Sequence, residues 1–178
     1  MRIKNILVML ICIAVAAVPG CVARDRDGGG EDTEEPGQIE QTMEVTLYFA
    51  DDQALYMVPE TRELTVPKGA SREDIIASVV GLLIEGPEEE GLFPTIPKDA
   101  KVRSVEIEGD TVTVDFSKEL SGAHGATGEA MALNSLANTL TEFDYIDKVF
   151  FTIEGDIVPL EHFVPDEPLT RNEDIIKK

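Results

Sequence analysis

Between residues 71 and 87 the chain carries a full set of helix punctuation, and the helix it marks leaves few choices of fold. Ser71 offers a hydroxyl to an orphan N–H of the first turn, and Glu73 and Asp74 place negative charge at the positive end of the helix dipole. Ile75, Ile76, Val79, Val80, Leu82, Leu83 and Ile84 recur at the i, i+3, i+4, i+7 spacing and cover a stripe wide enough to lie on a sheet. Gly86 can take the left-handed conformation that ends a helix, and Pro87 has no N–H to continue it. Glu88, Glu89, Glu90 and Gly91 then read as a solvated acidic turn. So apolar a helix must find a sheet.

The flanking segments supply the strands. Val45-Thr46-Leu47-Tyr48-Phe49 alternates and is rich in strand formers, ending at Asp51-Asp52. Short segments at 55–58 and 63–66 add a second pairing before Pro67-Lys68-Gly69 turns the chain into the helix. Residues 101–108 alternate with Val105 and Ile107 inward, Gly109-Asp110 predicts a tight hairpin, and Val112, Val114 and Phe116 return against Thr111, Thr113 and Asp115. That alternation means one buried and one wet sheet face, hence two layers. A second helix is predicted over 128–143, with Thr127 as its N-cap and Leu133, Leu136, Ala137 and Leu140 on one face. Residues 146–153 read as an apolar strand, Gly155-Asp156 as a turn and 157–160 as a short final strand. Pro159, Pro165, Pro168 and the charged end predict an unpacked tail.

The first 21 residues read as an address. Arg2 and Lys4 precede an apolar run from 6 to 18, too short for a comfortable membrane span, and Val18-Pro19-Gly20-Cys21 follows. Small residues directly before a cysteine resemble the lipobox of bacterial lipoproteins, in which the peptide is cut before a cysteine that carries a thioether-linked diacylglycerol. The other reading is an ordinary signal peptide with an incidental cysteine. Cysteine counting favours the lipid, because Cys12 leaves with the peptide, and Cys21 is then the sole thiol, with no partner for an intramolecular disulfide. Acyl chains there would hold the protein on the outer face of a membrane, each buried CH₂ contributing about 0.8 kcal/mol.

The expected organisation is a signal peptide over 1–20, an acidic Gly-rich linker over 21–43, a folded domain over 44–165 and a charged tail over 166–178. The linker would set the domain roughly 25 Å from the membrane. The formal charge of −20 includes Arg2 and Lys4 and becomes −22 without them. Such acidity disfavours nucleic acid and direct docking on anionic headgroups, which carry the same sign, so no nucleic-acid partner is expected; keeping a tethered domain soluble is the simpler role for the charge.

Chemistry is sparse. Asp25, Asp27, Glu31 and Asp32 lack the order of a calcium loop. His124 and His162 are too few for zinc once Cys21 is lipidated. Ser121 stands near His124 without a strand-turn-helix nucleophile elbow around it. Asp51 and Asp52, as neighbours on a strand end, point to opposite sides, unlike a glycosidase acid pair. The glycine-rich stretch Gly122-Ala123-His124-Gly125-Ala126-Thr127-Gly128 suggests an anion cradle, yet no Lys or Arg follows it, and a small-residue connection is the better reading. No catalytic residue, cofactor or metal is therefore expected.

Several segments in order resemble one known module: Leu47-Tyr48-Phe49, Arg62, Leu82-Leu83-Ile84-Glu85-Gly86-Pro87, Gly91-Leu92, Ile96-Pro97, Val112-Thr113-Val114-Asp115-Phe116-Ser117, and Asn138-Thr139-Leu140-Thr141-Glu142-Phe143. These are similar to the GerMN domain of sporulation and spore germination proteins, across nearly all of 44–165. Gly125-Ala126-Thr127-Gly128-Glu129 is similar to the segment before that family's second helix, and Leu169-Thr170-Arg171-Asn172 resembles a common ending of the module. The resemblance implies an α+β fold with two helices packed on one face of a mixed β-sheet, akin to ring-building motifs, and no catalytic residues. This chain has room for one such module.

The expectation is thus a non-enzymatic envelope protein, lipid-anchored at Cys21 on the extracytoplasmic face of the cell membrane. Its domain would bind envelope protein partners in sporulation, germination or envelope assembly. The alternative is a module that binds or modifies peptidoglycan or another glycan, against which stand the lack of Trp and the presence of only Tyr48, Tyr56 and Tyr145.

Overall fold

The computed structural model describes residues 39–122 and 125–177. Cys21, the signal and nearly all of the linker lie outside the described residues. Strand β1 (Glu40–Ala50) pairs antiparallel with β2 (Met57–Pro67), from Glu40 opposite Pro67 to Ala50 opposite Met57. β1 starts four residues before the expected domain boundary. β2 is one strand where two short segments were expected, because Pro59 sits on its outer edge, where no backbone donor is needed. Val45, Leu47, Phe49, Leu64 and Val66 are buried on one face of this hairpin.

Helix α1 (Arg72–Glu85) starts as the sequence dictates. Ser71 Oγ accepts the Asp74 N–H at 3.1 Å and Asp74 Oδ2 accepts the Ser71 N–H at 3.1 Å, a reciprocal capping box. Gly86, at φ +92°, closes the helix and donates its N–H to Leu82 O. The buried stripe is Ile76, Val79, Val80 and Leu83.

Strands β3 (Val102–Glu108), β4 (Thr111–Phe116) and β5 (Lys148–Ile153) form a second sheet in the order β3-β4-β5. The β3–β4 turn is the predicted Gly109-Asp110 hairpin, with Gly109 at φ +65°. β4 and β5 are parallel, and the crossover such a pairing requires is helix α2 (Gly125–Leu140). Val112, Val114, Phe116, Val149, Phe151 and Ile153 are buried on one face, each large side chain contributing about 1.5–3 kcal/mol. On the opposite, wetter face Asp115 accepts hydrogen bonds from Arg103, Thr152 and the Gly155 N–H. The fold is α+β, and its mixed sheet is the three-stranded one. The β1–β2 hairpin is a separate hydrogen-bonded unit, because the outer edge of β1 meets α2 instead of a third strand. α1 packs against β1, β2 and β3, and α2 against β1, β2, β5 and α1, around one common core.

Four expectations change. Helix α2 begins at Gly125, so Thr127 lies in its first turn and is not the N-cap. It ends at Leu140 because Glu142 and Phe143 donate to Thr139 and Leu140, tightening the last turn into a 3-10 arrangement. Residues 157–160 are not a strand: after the Ile153–Asp156 bridge, Ile157 and Val158 are exposed and Leu160 N–H bonds to Phe163 O. The C-terminal segment is packed. Leu169 exchanges both backbone hydrogen bonds with Val149 of β5, and the Lys177 N–H donates to Met57 O of β2 at 2.8 Å, so it straps the two sheets together.

Candidate functional site

A small sheet has edges, and the disposition of their backbone groups decides where another chain could attach. Along β1, Ala50 exchanges two hydrogen bonds with Phe93, at 2.9 and 3.3 Å. Two residues earlier, the Tyr48 N–H donates to Thr139 Oγ1 at 3.1 Å and Ser135 Oγ donates to Tyr48 O at 2.6 Å. Thr95 Oγ1 in turn donates to Ser135 Oγ at 2.7 Å. Ser135 and Thr139, one turn apart on α2, thus stand in for a neighbouring strand. Because the register runs without a shift, Thr46, Glu44 and Thr42 also turn their N–H and C=O groups outward. Those groups have no partner among the described residues. This open half of the edge borders a groove of about 420 Å³ lined by Met43, Val45, Phe143 and Tyr145, with Glu142 and Asp144 on its rim.

The rim is held in place. Tyr48 Oη donates to Glu142 Oε1 at 2.6 Å, Arg171 Nη2 donates to Tyr48 Oη at 2.9 Å, and Arg171 Nη1 lies 2.8 Å from Glu142 Oε1. The Arg171 guanidinium also sits 5.3 Å above the Tyr48 ring and pairs with Glu173. Burial, reinforced by the hydrogen bond to Glu142, raises the Tyr48 hydroxyl above the ordinary phenol range. Asn138 Oδ1 accepts the Asn172 N–H at 2.7 Å, which fixes the strap against α2.

The other edges are less available. On β2, Met57 O is taken by Lys177, and Pro59 and Pro67 bring no donor; between the prolines Thr61, Glu63 and Thr65 turn their groups outward, but among the described residues no groove is lined by them as one is by residues 43–46 of β1. β3 carries an irregularity between Val102 and Ser104. β5 is paired with Leu169 at Val149, and its Ile153 N–H donates to Asp156 O.

Of the residues singled out from sequence, Asp51 and His162 are tied into the fold by hydrogen bonds, and others are exposed. Asp51 Oδ1 accepts the Leu55 N–H at 2.9 Å and the Tyr56 N–H at 3.3 Å, and these backbone bonds hold its carboxyl below the usual range while closing the β1–β2 turn. Asp52 is exposed. Ser121 is exposed in a 3-10 turn, and His124 lies outside the described residues. His162 meets a residue that the sequence did not mark: the buried Glu129 carboxylate accepts the His162 N–H at 2.9 Å and stands 3.5 Å from its Nδ1. Glu161 offers a third ligand atom, all three within 4.8 Å of one another. As built, Glu129 ties the segment after β5 to the first part of α2. Tyr48 is buried, Tyr145 lies under Arg72 at 4.3 Å, and Tyr56 is half exposed in the β1–β2 turn.

Sequence reading missed the Glu60–Arg62 pair, Ser135, Thr139 and the packing of Arg171. Glu60 and Arg62 lie in phase with Leu64 and Val66 on β2, so charged residues at core-facing positions of an alternating strand were the available signal. No helix of the described residues is long and apolar enough to cross a membrane.

Comparison with known proteins agrees with this architecture. A structure of the tandem GerMN domains of the sporulation protein GerM from Bacillus subtilis matches with 26% identity and a TM-score of 0.61, covering 76% of this chain and 46% of that one. This chain therefore spans less than half the length of that tandem structure. The first GerMN domain of the same protein matches at 25% identity and a TM-score of 0.55, over 72% of this chain and 98% of the domain. A candidate lipoprotein from Clostridium perfringens matches at 27% identity and a TM-score of 0.52, over 72% of this chain and 87% of that one. No curated protein matches. The family model Germane, described as sporulation and spore germination, matches residues 46–159, which include all of β2 to β5 and both helices, and the chain belongs to that family.

Proposed function

We propose that this chain is a non-enzymatic envelope protein, anchored by lipid at Cys21, whose GerMN-type domain binds partner proteins in sporulation, germination or envelope assembly. The observation that carries the partner-binding reading is the division of the β1 edge. Tyr48 and Ala50 are sealed by α2 and Phe93, whereas the outward backbone groups of Thr42, Glu44 and Thr46 have no partner among the described residues and lie beside a groove with an apolar floor. The polar clusters elsewhere serve the fold: Glu60, Asp51, Asp115 and Glu129 all accept backbone N–H groups. The lipid anchor draws support from the apolar run before Cys21 and from the likeness to a candidate lipoprotein. The glycan alternative loses support from the tyrosines, because Tyr48 is buried, Tyr145 has Arg72 over one face and Tyr56 lies apart from both in the β1–β2 turn, so the three do not form a shared aromatic platform.

The test is crosslinked affinity capture from detergent-solubilised membranes of the native host, comparing the wild type with Cys21→Ala. Defined envelope proteins recovered with the wild type and reduced with the variant are the expected result. Recovery of wall fragments alone, independent of protein crosslinking, would overturn the proposal.

A further inference from the structure

We infer that the open half of the β1 edge, residues 42–46, is a docking site for an extended segment of a partner protein carrying Lys or Arg at alternate positions. This rests on the partner-binding reading above and names the surface and the chemistry of the occupant. The edge offers the outward N–H and C=O groups of Thr42, Glu44 and Thr46 over about 13 Å, which is enough for a short added strand. It ends where Ser135 and Thr139 cap Tyr48, so an incoming strand has a fixed stop.

The groove beside it supplies both kinds of specificity. Met43, Val45, Phe143 and Tyr145 give apolar contact for one side-chain row. Glu44, Glu142 and Asp144 set the charge of the other. Glu142 shares Arg171, while Glu44 and Asp144 have no ion-pair partner among the described residues. Charge also selects the occupant. With 35 acidic against 15 basic residues, a second copy would bring like charge to an edge that already carries it, whereas a basic strand is attracted.

The experiment uses the full-length chain in detergent with isotope-labelled amides, and a capped synthetic peptide, Lys-Val-Lys-Val-Lys-Val-Lys, as probe. The Glu-for-Lys peptide is the control. The expected result is that amide exchange at Glu44 and Thr46 slows at least tenfold with the basic peptide only. Thr46→Pro removes an outward donor without touching a bond inside the sheet, and it should weaken binding at least tenfold. Glu44→Lys combined with Asp144→Lys, both on exposed side chains, should do the same and keeps the test independent of the proline.

No protection at Glu44 and Thr46 at millimolar peptide overturns the inference, as does protection on β3 or at Thr61, Glu63 and Thr65 of β2 instead, or equal binding by the Thr46→Pro and charge-reversed variants. A dimer of the free chain that Thr46→Pro dissolves assigns the edge to a second copy and overturns it too. Envelope partners still captured by a chain that fails the peptide test would sink the edge assignment and leave the partner-binding reading standing. Peptide protection at the edge with no envelope protein captured would do the reverse.

Discussion

Glu60 and Arg62, two positions apart on β2 and only 2% and 7% exposed, divide the end of α1 between them. Glu60 accepts the N–H groups of Glu88 and Glu89, at 3.0 and 2.9 Å, and Arg62 donates to Gly86 O at 2.5 Å while pairing with Glu60 and lying over Phe49. The acidic turn after the helix has solvated side chains, as the sequence implies, but its backbone is clamped from inside.

Breaking that pair on one side leaves a buried charge without its counterpart. Arg62→Met should therefore destabilise by about 3–5 kcal/mol, and Glu60→Leu with Arg62→Met should cost clearly less than the two single changes together. Urea unfolding of the four proteins measures the coupling. A loss below about 1 kcal/mol for Arg62→Met would mean that the clamp contributes nothing net.

Ser135 and Thr139 should prove as important as apolar core residues of α2. Each of Ser135→Ala and Thr139→Val leaves a buried backbone group of Tyr48 without its partner, at about 1–3 kcal/mol. Amide exchange of Tyr48 should accelerate in Thr139→Val well before that of Leu83 in α1, which separates edge opening from global unfolding.

Alkaline pH should loosen the domain through its tyrosines. Burial raises both Tyr48 and Tyr145 in the folded state, so the contribution of each is fully present below the unfolded phenol value of about 10 and is lost as pH climbs through the folded value. The urea midpoint should fall above about pH 10, and less steeply in a Tyr48→Phe, Tyr145→Phe double variant. Identical slopes would remove the tyrosines from the account.

Ending the chain at Pro168 deletes the strap. The two Leu169–Val149 hydrogen bonds and the Lys177–Met57 bond account for a loss of roughly 3 kcal/mol at about 1 kcal/mol per net hydrogen bond, and the Arg171 network goes with them, so the total loss is at least that. An unpacked tail would have predicted no change, so thermal unfolding of the truncated chain decides between the two descriptions.

Local signals were legible in the sequence where one short segment determines its own geometry. The Ser71 cap, the Gly86 stop, the Gly109-Asp110 hairpin and the alternation of β4 all stand where expected. What escaped depends on residues far apart in the chain. Nothing local to Arg171 says that it will reach Tyr48, 123 positions away, and Ser135 looks like an ordinary polar helix residue until β1 is laid beside it. The two-sheet division was hidden for the same reason, since it follows from which neighbour takes the Tyr48 backbone. The candidate edge at 42–46 fell across the expected boundary between linker and domain, because Thr42 and Glu44 show no apolar alternation of their own.

The strap has a further consequence for a chain that folds as it emerges from its N-terminus, whether from the ribosome or, as proposed above, on the far side of a membrane. The β1–β2 hairpin and α1 can assemble from the first half, but Leu169 and Lys177, which close β5 and β2, are the last of these contacts to become available. Until then Met57 and, once β5 has formed, Val149 present unpaired edge groups. The emerging domain is therefore most prone to associate with its neighbours in the interval before residues 169–177 arrive.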